Sequence, residues 1–345
     1  MNKLIKAALV AAGLSFGPAY AQTDFTADEA HFNQFVADLK AEAIEKGYDT
    51  NMVEQAFADI KFKPKVIAAD RGQPEFVETL ETYLAKRVTD WTVKKAREEY
   101  KNHKDLLDKI GEKYGVQPRF IVALWALESG FGKYQGTMPV ISSLVTLSYD
   151  KRRSAFFKAQ LWDALDIVKN GDASLEQLKG SWAGAIGQVQ FIPSSFKAYA
   201  VDFDGDGIKD VWKNKADVFA SAANYLSSEG WNNDLTWGRQ VKVPENFNFD
   251  YAIPTKTNGR SAWLKSWQET QASLSEWQKR GVRRMDGSDL PVVDIEAAMV
   301  QPDGPKGRIY LAYDNYKVLM HWNRSYYFVS SVGVLADRIG YPAIK

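Results

Sequence analysis

Apolar and polar positions repeat with a helical period over most of the chain from Phe25 to about Leu235. Phe32, Phe35, Val36 and Leu39 recur at three- and four-residue steps, as do Val53, Phe57 and Ile60, so each set shares one helix face. Thr26 and Glu29 have capping-box spacing, which predicts a cap at Thr26 with Asp28 and Glu29 in the first turn. Phe62–Lys65 and Arg71–Pro74 read as connections. A long polar helix is predicted from about Val88 to Lys113, stopped at Gly115. After Trp237-Gly238 the period changes. Gln240–Val243, Leu290–Ile295, Arg308–Tyr313 and Tyr316–Met320 read as short strands. Between them, Ala262–Lys279 reads as a helix through Trp263, Leu264, Trp267, Leu274 and Trp277. Ser325–Ile339 returns to helical spacing, and no internal repeat is visible. The pattern predicts a mostly α, α+β protein with a smaller mixed segment near the C-terminus.

The first residues read as an address. Lys3 and Lys6 precede an apolar stretch from Ala7 to Phe16, and Ala19-Tyr20-Ala21 has the small-residue spacing of a cleavage site. This is the form of a secretory signal peptide over residues 1–21. Its apolar core is too short to span a bilayer, which needs about 20 residues. The expected product is an exported, periplasmic, soluble protein with no membrane span.

Composition narrows the chemistry. There are 44 Lys+Arg against 43 Asp+Glu, so no global field attracts nucleic acid or an anionic membrane. The absence of cysteine excludes thiol nucleophiles, cysteine-zinc sites, disulfides and a lipid-anchor cysteine. A chain of 345 residues buries enough surface to fold without such staples. His31, His103 and His321 have no metal spacing, and neither G-x-S-x-G nor a P-loop is present. Gly130-x-Gly132-x-x-x-Gly136 fails as a dinucleotide fingerprint, because it follows a helical pattern and its last spacing is wrong. Lys279, Arg280, Arg283 and Arg284 lack interleaved aromatics and read as a solvated face.

Three segments carry candidate chemistry. Phe120–Leu127 is an unbroken apolar run led by Pro118 and ended by Glu128-Ser129-Gly130-Phe131-Gly132. A carboxyl at a helix C-terminus in apolar surroundings is disfavoured as an anion, which suits a general acid. The alternative is a surface glutamate beyond the last turn. Gly180–Lys197 sets Ser181, Gln188 and Gln190 among glycines and apolar residues. Neutral donors and acceptors there suit a sugar-binding wall, and a tight packing turn is the alternative. Asp202-x-Asp204-x-Asp206-Gly207-Ile208 matches the first half of a calcium loop, with Ile208 offering its carbonyl. Lys213 stands where the bidentate acid belongs, and Asp217 is the next acid available. Hard oxygen ligands favour calcium in a structural role, and an Asx-turn loop is the alternative.

Together these segments resemble the membrane-bound lytic murein transglycosylase B family, glycoside hydrolase family 103. The resemblance is carried by Ala126-Leu-Glu128-Ser-Gly-Phe-Gly132, Gly180-Ser181-x-Ala-Gly184-Ala-x-Gly187-Gln-x-Gln190-Phe-x-Pro193-Ser, the aspartate loop, Ala222-Ala-Asn224-Tyr225 and Trp322-Asn323-Arg-Ser325. It implies a lysozyme-like helical core with a helical N-terminal region and a small β-containing segment. Along the chain this divides as a helical region 22–95, a catalytic core with the calcium loop 96–237, the β-containing segment 238–315 and a return to the core 316–345. The implied activity is cleavage of the β-1,4 bond between N-acetylmuramic acid and N-acetylglucosamine, leaving a 1,6-anhydro sugar. Glu128 falls at the catalytic glutamate. Ser181, Gln190 and Asn323 fall at site-lining positions, and Tyr83, Tyr149, Tyr225 and Phe191 at aromatic or groove positions. Phe328 stands where a tyrosine is often found, and no peptidoglycan-binding module is expected after it. The implied metal set is Asp202, Asp204, Asp206, the Ile208 carbonyl and Asp217.

Only one acid occupies such a catalytic position, and Asp150, Asp163 and Glu176 read as surface charges. Glu128 would then act first as acid and afterwards as base, with the substrate acetamido group assisting. The expected partners are peptidoglycan strands and cell-wall synthesis proteins, with no nucleic acid. A hydrolytic muramidase and a non-catalytic peptidoglycan-binding scaffold are the rival readings.

Overall fold

Helices Glu29–Glu45, Thr50–Phe57 and Pro64–Arg71 open the computed structural model, which describes residues 29–72, 78–254 and 259–340. The predicted signal peptide and the Thr26 cap lie outside these residues. Among the described residues, one compact unit gathers 29–72 with 124–225, and a second gathers 78–123 with 226–340. Each unit is therefore built from two separated stretches, which a linear segmentation of the chain does not express.

The first unit is assembled around helix Val140–Tyr149, whose residues 140–148 are all buried. Its serines and threonine go inside at little cost where they bond back to the helix. Thr146 Oγ1 donates to the Ser142 carbonyl at 3.0 Å and Ser148 Oγ to the Leu144 carbonyl at 2.7 Å. Helices Ser154–Lys169, Glu29–Glu45, Thr50–Phe57 and Pro64–Arg71 pack against it. The Phe62–Lys65 connection thus turns directly into a helix, with Pro64 at its first position, where a missing N–H costs nothing. Asp150, expected at the surface, is only 4% exposed. Arg71 binds it through two nitrogens at 3.0 and 3.1 Å, and Arg152 and Arg153 both reach the equally buried Asp70.

The second unit combines helices with a five-stranded antiparallel sheet. The strand order is Ala272–Ser273, Glu296–Val300, Ile309–Ala312, Gly238–Lys242, Arg283–Arg284. Val241, Leu274, Trp277, Val282, Met299 and Leu311 form the core on this sheet. Gly115 ends helix Lys104–Tyr114 at φ 64°, as its sequence predicts, and helix Tyr326–Gly340 closes the unit.

Four elements differ from the sequence reading. The polar helix from Val88 is two helices, Asp90–Asn102 and Lys104–Tyr114, interrupted at His103. No glycine or proline marks that break. Ala262–Lys279 is also two helices, because Ala272–Ser273 leaves the helix to pair with Glu296–Ala297 and Ser273 then caps the next one. Leu290–Ile295 is not a strand. Its valines 292 and 293 are 100% and 50% exposed, and the ladder begins at Glu296. Tyr316–Met320 lies inside helix Asp314–Trp322. A five-residue stretch with a single charged position, Lys317, carries no usable period, so strand and helix are not separable there.

Among the described residues no helix is long and apolar enough to cross a membrane. Burial pushes the Asp150 carboxyl up. The Arg71 hydrogen bond, the Arg152 N–H and the two guanidinium charges outweigh it and hold the group below the usual carboxylate range. A carboxyl lowered by folding stabilises above its unfolded pKa of roughly 4, and that contribution is lost as pH falls through the folded value. Thermal melts should show Asp150→Asn less stable at neutral pH by about 1.5–3 kcal/mol, since it weakens the two Arg71 hydrogen bonds to a buried carboxylate. The gap to the unsubstituted protein should narrow below about pH 4; a gap independent of pH would refute the pairing.

Candidate active site

The apolar run folds as helix Pro118–Ser129, with Phe120 to Ala126 buried and Glu128 half-exposed in its final turn. The backbone then turns left-handed three times in succession, at Gly130 (φ 58°), Phe131 (φ 62°) and Gly132 (φ 82°). Phe131 is the costly member, because a side chain there costs on the order of 1–3 kcal/mol. Its ring sits edge-on to Trp125 at 5.4 Å, and its N–H donates to the Trp125 carbonyl at 3.3 Å. Ser129 Oγ accepts from the Gly132 N–H at 2.9 Å and closes the turn.

This turn lies against the Gly/Ser/Gln segment. A Cβ on Gly132 would strike the Gln188 side chain, and one on Gly136 would strike the Gly180 carbonyl. Strand Met138–Pro139 pairs with Lys179–Gly180, and bridges from Gly180 to Ile186 and Ile186 to Phe191 fold the segment back on itself. The structure thereby brings the backbone after Glu128 together with Ser181 and Gln190.

The two polar side chains offer opposite chemistry. Ser181 is 3% exposed, and its Oγ accepts from the Ala185 and Ala183 N–H groups at 3.0 and 3.3 Å. Only its proton remains to offer, so Ser181 is a donor. Among the described residues Gln190 is the other non-glycine residue in the left-handed region, at φ 51°. Its Nε2 donates to the carbonyls of Gly187 (2.8 Å) and Gln135 (3.2 Å), while its Oε1 is buried with no hydrogen-bond partner. A buried acceptor left without a donor costs about 1–3 kcal/mol, and such groups mark ligand or water positions.

The remaining candidates distribute as follows. Tyr149 is half-buried and packs with Phe32, Phe35 and Phe62 at 5.2 to 5.8 Å in the first unit. Phe191 and Tyr225 pack on each other at 5.9 Å and are 3% and 7% exposed. Tyr83 and Asn323 belong to the second unit. Tyr83 is 2% exposed and meets Tyr327 edge-on. A sugar-stacking platform needs an open ring face, which these three buried rings do not present. Asn323 caps the end of helix Asp314–Trp322, and its Oδ1 is buried without a partner. Phe328, 3% exposed, is a core residue.

Asp202, Asp204 and Asp217 converge with carboxylate oxygens within 4.8 Å of one another. Asp206 does not join them; its carboxylate accepts from the Ile208 N–H at 2.9 Å. Asp202 is held below the usual range by N–H groups of Gly207 and Gly205. Asp217 is fully buried, and burial pushes its carboxyl up to about 6 against the N–H bonds from Phe203 and Asp210. Three converging carboxylates of hard oxygen fit a cation such as calcium. Two residues went unrecognised in the sequence as parts of this neighbourhood. Gln135 sends Nε2 to the Gly132 carbonyl at 3.0 Å, and Lys215 sends Nζ to Gln188 Oε1 at 2.5 Å.

Residues 31–337 match the family described as Transglycosylase SLT domain. The chain belongs to that family. It is 28% identical over 266 residues to membrane-bound lytic murein transglycosylase B of Escherichia coli K12, covering 76% of this chain and 68% of the relative. It superposes on Pseudomonas aeruginosa SltB3, solved in complex with NAG-anhNAM-pentapeptide, with TM-score 0.81 and 34% identity over 91% of this chain and 83% of the other. It also superposes on E. coli Slt35, solved with calcium, with TM-score 0.71 and 25% identity over 92% and 94% of the two chains. This membership makes the protein an enzyme of the peptidoglycan lytic transglycosylase class, with the mostly helical, lysozyme-like fold of those relatives.

Gly136→Ala tests the packing of the turn. Strain at φ 84° together with a clash on the Gly180 carbonyl should lower Tm by several degrees, and activity should fall with it. Unchanged melting would show that the two backbones can separate.

Proposed function

We propose that this enzyme cleaves the β-1,4 bond between N-acetylmuramic acid and N-acetylglucosamine and leaves a 1,6-anhydromuramic end. The observation that carries the reading is the pairing of a Ser181 donor with the strained, unsatisfied acceptor of Gln190 beside the turn that follows Glu128. An acetamido group presents one acceptor and one donor and fits that pair. The anhydro sugar bound to SltB3 supports the same product here.

Glu128 is the general acid that protonates the glycosidic oxygen. The acetamido oxygen of the substrate supports the anomeric carbon as the bond breaks. Glu128, now a carboxylate, takes the C6 hydroxyl proton as that oxygen closes on C1, which restores the starting enzyme without water. Ser181 and Gln190 hold the sugar amide and hydroxyls. Tyr149 keeps the half-exposed ring that a groove wall requires, and Tyr83, Phe191 and Tyr225 support the fold beneath the surface.

A calcium ion bound by Asp202, Asp204 and Asp217 would neutralise the cluster and fix the loop to helix Lys215–Ser228. The signal peptide at 1–21 would deliver the protein to the periplasm, where peptidoglycan strands and cell-wall synthesis proteins are the expected partners.

Purified sacculi treated with the enzyme should release muropeptides one water lighter than hydrolytic products, read by mass spectrometry. Glu128→Gln should lower release about 10³-fold or more while sacculus binding persists. Reducing ends would make the enzyme a muramidase, and release by the variant would remove Glu128 from the mechanism. Gln190→Leu should raise KM more than it lowers kcat. At a hundredfold excess over Kd calcium should stabilise by about 2.7 kcal/mol. Chelator should therefore lower Tm by roughly 4 °C, and an unmoved Tm with no recovered ion would refute the site.

A further inference from the structure

Gln188, which the sequence offers with Ser181 and Gln190 for a sugar-binding wall, is 3% exposed, and both ends of its amide are hydrogen-bonded within the protein. Its Oε1 accepts from Trp125 Nε1 at 2.7 Å and from Lys215 Nζ at 2.5 Å. Its Nε2 donates to the Trp212 carbonyl at 2.6 Å, and its own N–H donates to the Val211 carbonyl at 2.8 Å. Gly132 is the residue that its amide would strike if a Cβ were present. One planar amide thus touches the last turns of the Glu128 helix, the left-handed turn behind it, the exit of the aspartate loop and the first residue of helix Lys215–Ser228.

We propose that Gln188 is a positioning residue for Glu128, and that it couples the aspartate loop to the end of the catalytic helix. The amide is the only side chain of this length that accepts two bonds at one atom and donates from the other. Lys215 completes the link, because its ammonium also lies over the Trp125 ring at 4.5 Å. Trp125 is three residues before Glu128, so a shift of Trp212 reaches the last helical turn through the Gln188 amide. Gln188 itself does not touch substrate. This inference rests on Glu128 being the catalytic acid.

The test uses the full-length mature protein, soluble peptidoglycan glycan strands and calcium chloride as the probe. Gln188→Leu should lower kcat at least tenfold with KM within twofold, and Gln188→Glu, which keeps the Trp125 and Lys215 bonds but sets a carboxylate oxygen against the Trp212 carbonyl, should recover only part of kcat. In protein with ¹⁵N-labelled tryptophan, the Trp125 indole N–H signal, assigned through Trp125→Phe, should move on adding calcium and stay fixed in Gln188→Leu. A rise in KM with kcat unchanged would make Gln188 a substrate contact and overturn the proposal. So would a Trp125 signal that responds to calcium equally in both proteins, or one that responds in neither. If Gln188→Leu does not fold, Gln188→Glu decides: its Trp125 signal must still follow calcium. An unsubstituted enzyme that releases no product would sink the proposed function, whereas the indole signal would still report whether Gln188 couples loop to helix.

Discussion

Two lengths of backbone run close against each other beside Glu128, with glycines at the points of approach. Gly136 faces the Gly180 carbonyl, Gly132 faces the Gln188 amide, and Gly180 faces the Ala185 carbonyl. Everything polar in the site is placed by that approach. Ser181 spends its oxygen lone pairs on the turn that makes the approach, so its proton is left over. Gln190 is driven into left-handed geometry by the same fold-back, and its Nε2 bonds leave Oε1 unmatched. The strain at Phe131 and Gln190 brackets the site from both strands of the contact. It persists because the surrounding helices determine the backbone more strongly than either residue's own preference.

Charge is handled in two different ways elsewhere in the first unit. Asp70 and Asp150 are buried against guanidinium groups and need nothing further. Asp202, Asp204 and Asp217 converge on one another and are satisfied only in part by backbone N–H groups. The contrast separates aspartates paired with guanidinium groups from aspartates gathered on one another.

The candidate site residues were easier to single out in the sequence than the residues that support them. Glu128 stood out because an apolar helix ended in an acid followed by two glycines, and each of those features has a local physical meaning. Asp217 emerged because Lys213 disqualified itself. Gln188 and Gln190 looked alike, since spacing does not show that one amide is saturated and the other is not. Tyr83, Phe191 and Tyr225 matched groove positions, but an aromatic residue announces its size and not its exposure. Helix Asp314–Trp322 hid inside a short, mostly apolar stretch for the same reason, and His103 interrupts a helix without any residue that favours a break. Those features are decided by tertiary packing, which acts across distances that a local pattern does not sample.

The interleaving of the two units bears on the order of events during folding. Helices 29–72 find their core only in residues from 124 onward, and residues 78–123 find theirs only after 225. The Arg71–Asp150 and Asp70–Arg153 pairs span 79 and 83 residues of chain. A chain emerging from its N-terminus would thus carry its first three helices without a surface to cover them. The entropy of closing those long loops is lost before any buried contact returns it. Neither unit is separable by truncation at a single point, so folding of each must wait for segments made late in synthesis.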